Sequence, residues 1–229
     1  MDKTIMSIGC HCLDAELMGG PAVLKHTNQG GKGIFVHMTR GERGNPNKQA
    51  DEYGIQLEQE MVNVAAKMGA SAIWLGYAAG NFPTTSEVVR DLVRLIRQER
   101  PAVVITHWRG SLHERHTLTY ETVTAAIKAA ANPKYDLATQ AYRVPKFCYG
   151  ENCEDLNGFI PQIYSPMTQA ELNQWLDALR EYELFRGGLL SVPYEAYYTT
   201  MAKVRSIEGG AGGLAKAYMY ASRVEELHE

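Results

Sequence analysis

Short apolar runs separated by amphipathic stretches constrain this chain more than any other feature. Ile5–Gly9, Ile34–Thr39, Ser71–Gly76 and Val103–Thr106 are apolar for most of their length, as expected for strands covered on both faces. Helical periods lie between them. Asp14–His26 is softly broken by Gly19-Gly20-Pro21; Glu58–Met68 carries Met61, Val62, Ala65 and Met68; Thr84–Glu99 carries Val88, Leu92, Leu95 and Ile96 on an inner face. Gly69 closes the second helix as a C-cap, and Thr85 with Glu87 offers polar caps to the third. Another helix is expected from about Thr117 to Ala131. Strands alternating with helices predict a mostly parallel sheet with helices on both faces, an α/β fold. Beyond residue 140 the pattern loosens. Tyr142–Tyr149 reads as a strand and Thr168–Phe185 as an amphipathic helix, with Leu214–Leu227 a last helix after the glycine-rich Glu208–Gly213 loop.

The 229 residues, without internal repeat or linker, suit one domain spanning 1–229, and 45% hydrophobic content builds a sizeable core. A formal charge of -3 with both signs mixed argues against nucleic-acid binding and against a polybasic membrane surface. No apolar run approaches the ~20 residues that cross a bilayer, and Met1–Met6 lacks the apolar core of a signal peptide. A cytoplasmic protein is expected. Cys10, Cys12, Cys148 and Cys153 read as free thiols, since neither of their spacings is a usual zinc knuckle. Phosphate-loop, dinucleotide and nucleophile-elbow motifs are absent. Cys12 beside His11 lacks the third, orienting group that a thiolate nucleophile needs.

In a parallel sheet the loops after strands one, two and four share one edge, and open α/β sheets carry their chemistry there. The first loop supplies His11, Asp14 and Glu16, the second Glu42, the fourth His107, His113 and His116. Two imidazoles, one carboxylate and an open position form the ligand pattern of a catalytic zinc site. His113 and His116, at i and i+3 near a helix start, can face one way. On the residues alone, loop histidines that are merely polar surface groups remain the alternative. His37, inside an apolar strand, reads as a hydrogen-bonded core residue, and His26 and His228 as surface residues.

Several of these stretches resemble one known family. Ile8-Gly9-Cys10-His11-Cys12-Leu13-Asp14-Ala15-Glu16-Leu17 is similar to the G-A-H-P-D-D-x-E-L motif of the LmbE-like, or PIG-L, zinc-dependent N-deacetylases. Thr39-Arg40-Gly41-Glu42-Arg43-Gly44 resembles their T-x-G-E-x-G loop. Arg100-Pro101 with Val103–His107 resembles their R-P-D-V-V-x-T-H strand, and His113-Glu114-Arg115-His116 their H-P-D-H motif. The resemblance implies a Rossmann-like sheet and removal of acetyl groups from N-acetylated amino sugars. It further implies zinc, or another divalent metal, held by His11, Asp14 and His116, with His113 steadying the oxyanion or protonating the leaving amine and Glu42 supporting the pocket wall.

Three departures bear on activity. The position implied to hold the general base is Leu13, the orienting Asp of H-P-D-H is Arg115, and the acidic residue usual after strand three is Ala79. A positioned base is worth roughly 10²–10⁴ in rate. Its loss therefore weakens the chemistry without forbidding it, because zinc alone brings the pKa of water to about 7. Glu42 ranks first and Glu114 second as a replacement; Glu16 reads as a helix cap or as the partner of a basic neighbour. The expectation is a deacetylase-type hydrolase acting on a small carbohydrate-like substrate. The alternative is a zinc-retaining pseudoenzyme that binds a sugar-like or anionic ligand without turnover. Family members often assemble, so homo-oligomerisation is a further expectation, with the aromatic-rich Tyr182–Tyr198 serving either as interface or as core and pocket wall.

Overall fold

The apolar runs assemble into one seven-stranded sheet in the computed structural model, which describes residues 3–81, 86–187, 192–210 and 212–221. Its strands are β1 (Thr4–Gly9), β2 (Lys32–Thr39), β3 (Ser71–Tyr77), β4 (Val103–Thr106), β5 (Lys146–Gly150), β6 (Ile163–Met167) and β7 (Leu214–Tyr220), in the order β3-β2-β1-β4-β5-β7-β6. The first five are parallel, and β7 runs antiparallel to both of its neighbours. Helices α1 (Asp14–Thr27), α2 (Ala50–Lys67) and α5 (Gln169–Leu179) bury Leu17, Leu57 and Trp175 in one apolar cluster. On the opposite face α3 (Ser86–Glu99) and α4 (Glu114–Ala130) bury Val88, Leu92 and Val123 against Met6, Ile8 and Val36. The sheet is thus covered on both sides, as its apolar strands require.

From β1 the chain steps outward to β2 and β3, then returns to lay β4 against the other edge of β1. This reversal makes a switch point, and the crevice beyond the carboxyl ends of β1 and β4 is where such sheets bind ligands. The loops carrying His11 and His107 leave from those two ends.

The structure departs from the sequence reading in several elements. α1 runs unbroken through Gly19-Gly20-Pro21 because tertiary packing overrides local propensity. A Cβ on Gly20 would fall 2.3 Å from Trp175 Nε1, so only glycine admits α5 this close. α2 begins at Ala50, well before Glu58; its buried stripe includes Glu60, a charge that hides the period. α4 begins at Glu114, which sets His113 at its N-cap and His116 in its first turn. β5 begins at Lys146 and α5 ends at Leu179, both shorter than expected.

The expected last helix is instead β7. Lys216 makes that segment read as a helix surface, yet Ala215–Met219 is buried and Lys216 Nζ donates to Glu151 O at 2.7 Å. Strand β6 and helix α6 (Tyr194–Glu208) were not anticipated. Tyr182, Phe185, Tyr194 and Tyr198 are buried as core, so the aromatic-rich segment does not present them as an exposed interface. Thr84, Thr85, residues 222–227 and His228 lie outside the described residues. Among those described, no helix is long and apolar enough to cross a membrane.

Candidate metal centre

The turn after β1 is built around a conformation that an L-residue rarely adopts. Leu13 has φ +84°, and this strained backbone is held by its surroundings at the N-terminus of α1. The turn brings Asp14 back onto the chain before it: Asp14 Oδ2 accepts the His11 backbone N–H at 2.8 Å and lies 3.2 Å from His11 Nδ1. Gly41, in the loop after β2, has φ +80°, and a Cβ there would sit 3.1 Å from the Cβ of His11. That glycine lets the second loop close over the first.

From the other side of the switch point, β4 delivers His107 and α4 delivers His116. His116 Nε2 lies 3.3 Å from Asp14 Oδ2, and the rings of His113 and His116 stack with centroids 4.7 Å apart. His11 and His116 thus approach Asp14 Oδ2 from two sides, but among the described residues the donor atoms that lie within 4.8 Å of one another fall into two groups, Cys10, His11 and Asp14 on one side and Asp14, His107 and His116 on the other. His113 borders the same cavity, of about 330 Å³.

Hydrogen bonding sorts these imidazoles by role. His107 is committed at both nitrogens: Nε2 accepts the Cys10 N–H at 3.0 Å, which leaves Nδ1 to donate to Asp155 Oδ2 at 2.6 Å. His116 gives its Nδ1 to Asp155 Oδ1 at 2.9 Å and turns Nε2 to Asp14. His113 Nδ1 accepts the Arg115 N–H at 3.3 Å, so its proton resides on Nε2. Asp155 is fully buried and orients two rings at once, as a carboxylate behind a metal-ligating histidine does. Asn152 Nδ2 adds a contact to Asp14 Oδ1 at 3.4 Å.

The charges follow from burial and these partners. Burial alone would raise the Asp14 carboxyl, but the charge on His116 first, and a hydrogen bond from His11, hold it well below the usual range. Burial opposes protonation of His116, yet Asp14 and Asp155 raise it to about 10. Burial would raise the Asp155 carboxyl too, and His107 with His116 lowers it. His113 is pushed down to about 4 by burial and by the charge on His116, so it stays neutral. The attraction that keeps a proton between His116 Nε2 and Asp14 Oδ2 would equally hold a cation. With imidazoles and a carboxylate as donors, the residues present fit a divalent metal ion.

Glu42 stands elsewhere. It is buried with Oε1 accepting the Ala79 N–H at 2.8 Å, and it is not among the residues lining the cavity. Glu114 is exposed and also outside the lining. Glu16 pairs with His37 Nε2 at 3.1 Å and accepts the Tyr182 hydroxyl, so both are core groups. Besides Asp14, the carboxylate that lines the cavity is Glu154, with Oε2 3.8 Å from His116 Nε2 and a pKa raised by burial. Sequence reasoning missed Asn152, Glu154 and Asp155. Their signal was an acidic run just after a strand, on the same carboxyl edge, one strand beyond β4.

A mostly parallel open sheet with a two-histidine, one-carboxylate donor set at its switch point defines a Rossmann-like α/β protein with a candidate metal centre. Residues 6–127 match the model of the PIG-L family, described as GlcNAc-PI de-N-acetylase, and the chain belongs to that family. It is 25% identical over 175 residues to a 1D-myo-inositol 2-acetamido-2-deoxy-alpha-D-glucopyranoside deacetylase from Rhodococcus erythropolis, covering 63% of this chain. The matched region spans 60% of that relative's length. In fold the chain is similar to the 4-carboxy-2-hydroxymuconate hydratase GalB from Pseudomonas putida KT2440 (TM-score 0.85, 17% identity, 99% of this chain and 100% of that one). It is also similar to the N,N'-diacetylchitobiose deacetylase from Pyrococcus horikoshii (TM-score 0.77, 19% identity, 94% and 82% covered).

Proposed function

We propose that the protein is a metal-dependent hydrolase of the deacetylase type, acting on an N-acetylated amino sugar or a related small carbohydrate conjugate. The observation that carries this reading is the convergence of His11, Asp14 and His116 with Glu154 in one cavity. Family membership and the printed activities of the Rhodococcus and Pyrococcus proteins support the reaction class. His11, Asp14 and His116 would hold the metal, which when bound supplies Lewis-acid polarisation of an acyl oxygen and a lowered pKa for water. Asp155 fixes the His116 tautomer, and His107 holds the Cys10 amide in place. Glu154 takes the proton of the attacking water, the role that Leu13 has no group to perform; burial raises its pKa toward the range suited to a base. His113 presents Nε2–H to the acyl oxygen or the leaving nitrogen. Hydrolysis of the amide then yields acetate and a free amine.

A second reading, a metal-retaining binder without turnover, is favoured by one observation: Leu13 is buried at the cavity wall where a base would be of use. Acetate release from N-acetylglucosamine conjugates by zinc-loaded protein, measured beside the metal content of His116→Ala, tests the proposal. Acetate release and zinc by the natural protein, with both lost in the variant, is expected. Equal zinc in the two proteins contradicts the ligand assignment, and zinc without acetate favours the binder.

A further inference from the structure

The cavity over the candidate metal centre carries an excess of cationic side chains. Arg40 and Arg43 enter it from the loop after β2, and Arg115 enters from the first turn of α4. The carboxylates lining it are Asp14 and Glu154, and Asp14 is already ringed by imidazoles. Arg40 is fixed, with Nη1 on Glu58 at 2.5 Å and its guanidinium 4.3 Å over the Trp74 ring, while its buried Nε has no partner. Among the described residues no carboxylate pairs with Arg43 or Arg115. Arg43 is exposed and Arg115 half-buried; guanidinium groups with no carboxylate partner at the edge of a cavity favour an oxyanion, which they can grip through two parallel N–H bonds. With a divalent cation bound, the lining would be more positive still.

We infer that the substrate or ligand of this cavity is anionic: a small molecule bearing a carboxylate or phosphate that Arg43 and Arg115 bind beside the metal centre. This rests on the reading of the cavity as the substrate site, but not on turnover. Arg43, from the loop after β2, and Arg115, from the first turn of α4, border one cavity from two different elements. The sugar or carbon skeleton would then lie along Leu13, Leu57 and Tyr194.

The test is calorimetric titration of the zinc-loaded protein with N-acetylglucosamine, N-acetylglucosamine 6-phosphate and N-acetylmuramic acid, which differ in having no anionic group, a phosphate or a carboxylate. At least one anionic probe is expected to bind about tenfold or more tighter than the neutral one, an advantage that shrinks with added salt. The Arg43→Gln/Arg115→Gln double variant is expected to lose that advantage while keeping its zinc. The phosphate and carboxylate arms say which anion is read. Equal affinity for all three probes, or an advantage that survives both added salt and the double variant, overturns the inference. Deacetylation need not occur in this experiment, so an inactive protein that still prefers an anion separates failure of the proposed reaction from failure of this inference.

Discussion

Asp155 is the buried group on which most of the centre depends, and replacing it with Asn gives a sharp prediction. Its two oxygens serve His107 Nδ1 at 2.6 Å and His116 Nδ1 at 2.9 Å. An amide keeps one acceptor and sets an N–H against the other ring. If His107 keeps the oxygen, His116 must accept at Nδ1 and carry its proton on Nε2, which faces Asp14. A charge-assisted hydrogen bond contributes about 1.5–3 kcal/mol, and forcing His116 to give up its Nδ1 proton adds to the loss. Asp155→Asn should therefore cost about 2–4 kcal/mol of a stability of about 5–15 kcal/mol. Losing the carboxylate behind a metal-ligating histidine typically costs ~10–100-fold in metal affinity. Urea unfolding gives the first quantity, and competition for zinc with a chromophoric chelator gives the second. A variant that unfolds at the wild-type midpoint and competes for zinc as well as the natural protein refutes the assignment of Asp155 as the residue that orients His116.

Other perturbations probe the rest of the account. Gly41→Ala forces a side chain onto φ +80° and to 3.1 Å from His11 Cβ; it should cost about 1–2 kcal/mol and weaken zinc binding, and an unchanged urea midpoint contradicts this. Leu13→Asp adds a second carboxylate beside Asp14 and should lower acetate release; a gain from no detectable turnover favours the binder instead. Burial pushes the Lys216 ammonium from 10.5 down to about 8. Between those pH values the unfolded chain holds a proton that the folded chain has released, so stability gains with rising pH there. Comparison of urea unfolding at pH 8 and pH 10 should show the wild type gaining on Lys216→Met; a constant difference contradicts the buried-lysine argument.

The parallel half of the sheet was legible because its strands are apolar on both faces, and the alternation with helices left few other packings. His11, Asp14, His113 and His116 were legible for the same reason: once the strands are parallel, their loops share an edge. Strand β7 was not, because a lysine buried against Trp175 and Tyr198 looks like a surface residue in one dimension. The stripe Tyr194, Tyr198, Ala202 and Ser206 recurs every fourth residue along α6, but tyrosines and threonines are weak helix formers and mask it. Glu154 and Asp155 were missed because no motif placed the loop after β5 beside the loop after β4. Sheet order did that. The ranking of Glu42 as a base overlooked that a buried carboxylate can be occupied by a backbone amide, here that of Ala79.

The claim at the centre of the account is that Glu154 supplies the proton transfer for which Leu13 has no group. The most direct measurement is the rate of acetate release by zinc-loaded Glu154→Gln against the natural protein, with zinc content determined for both. A fall of roughly 10²–10⁴ at unchanged zinc is the predicted result. A variant that releases acetate at the natural rate contradicts the claim.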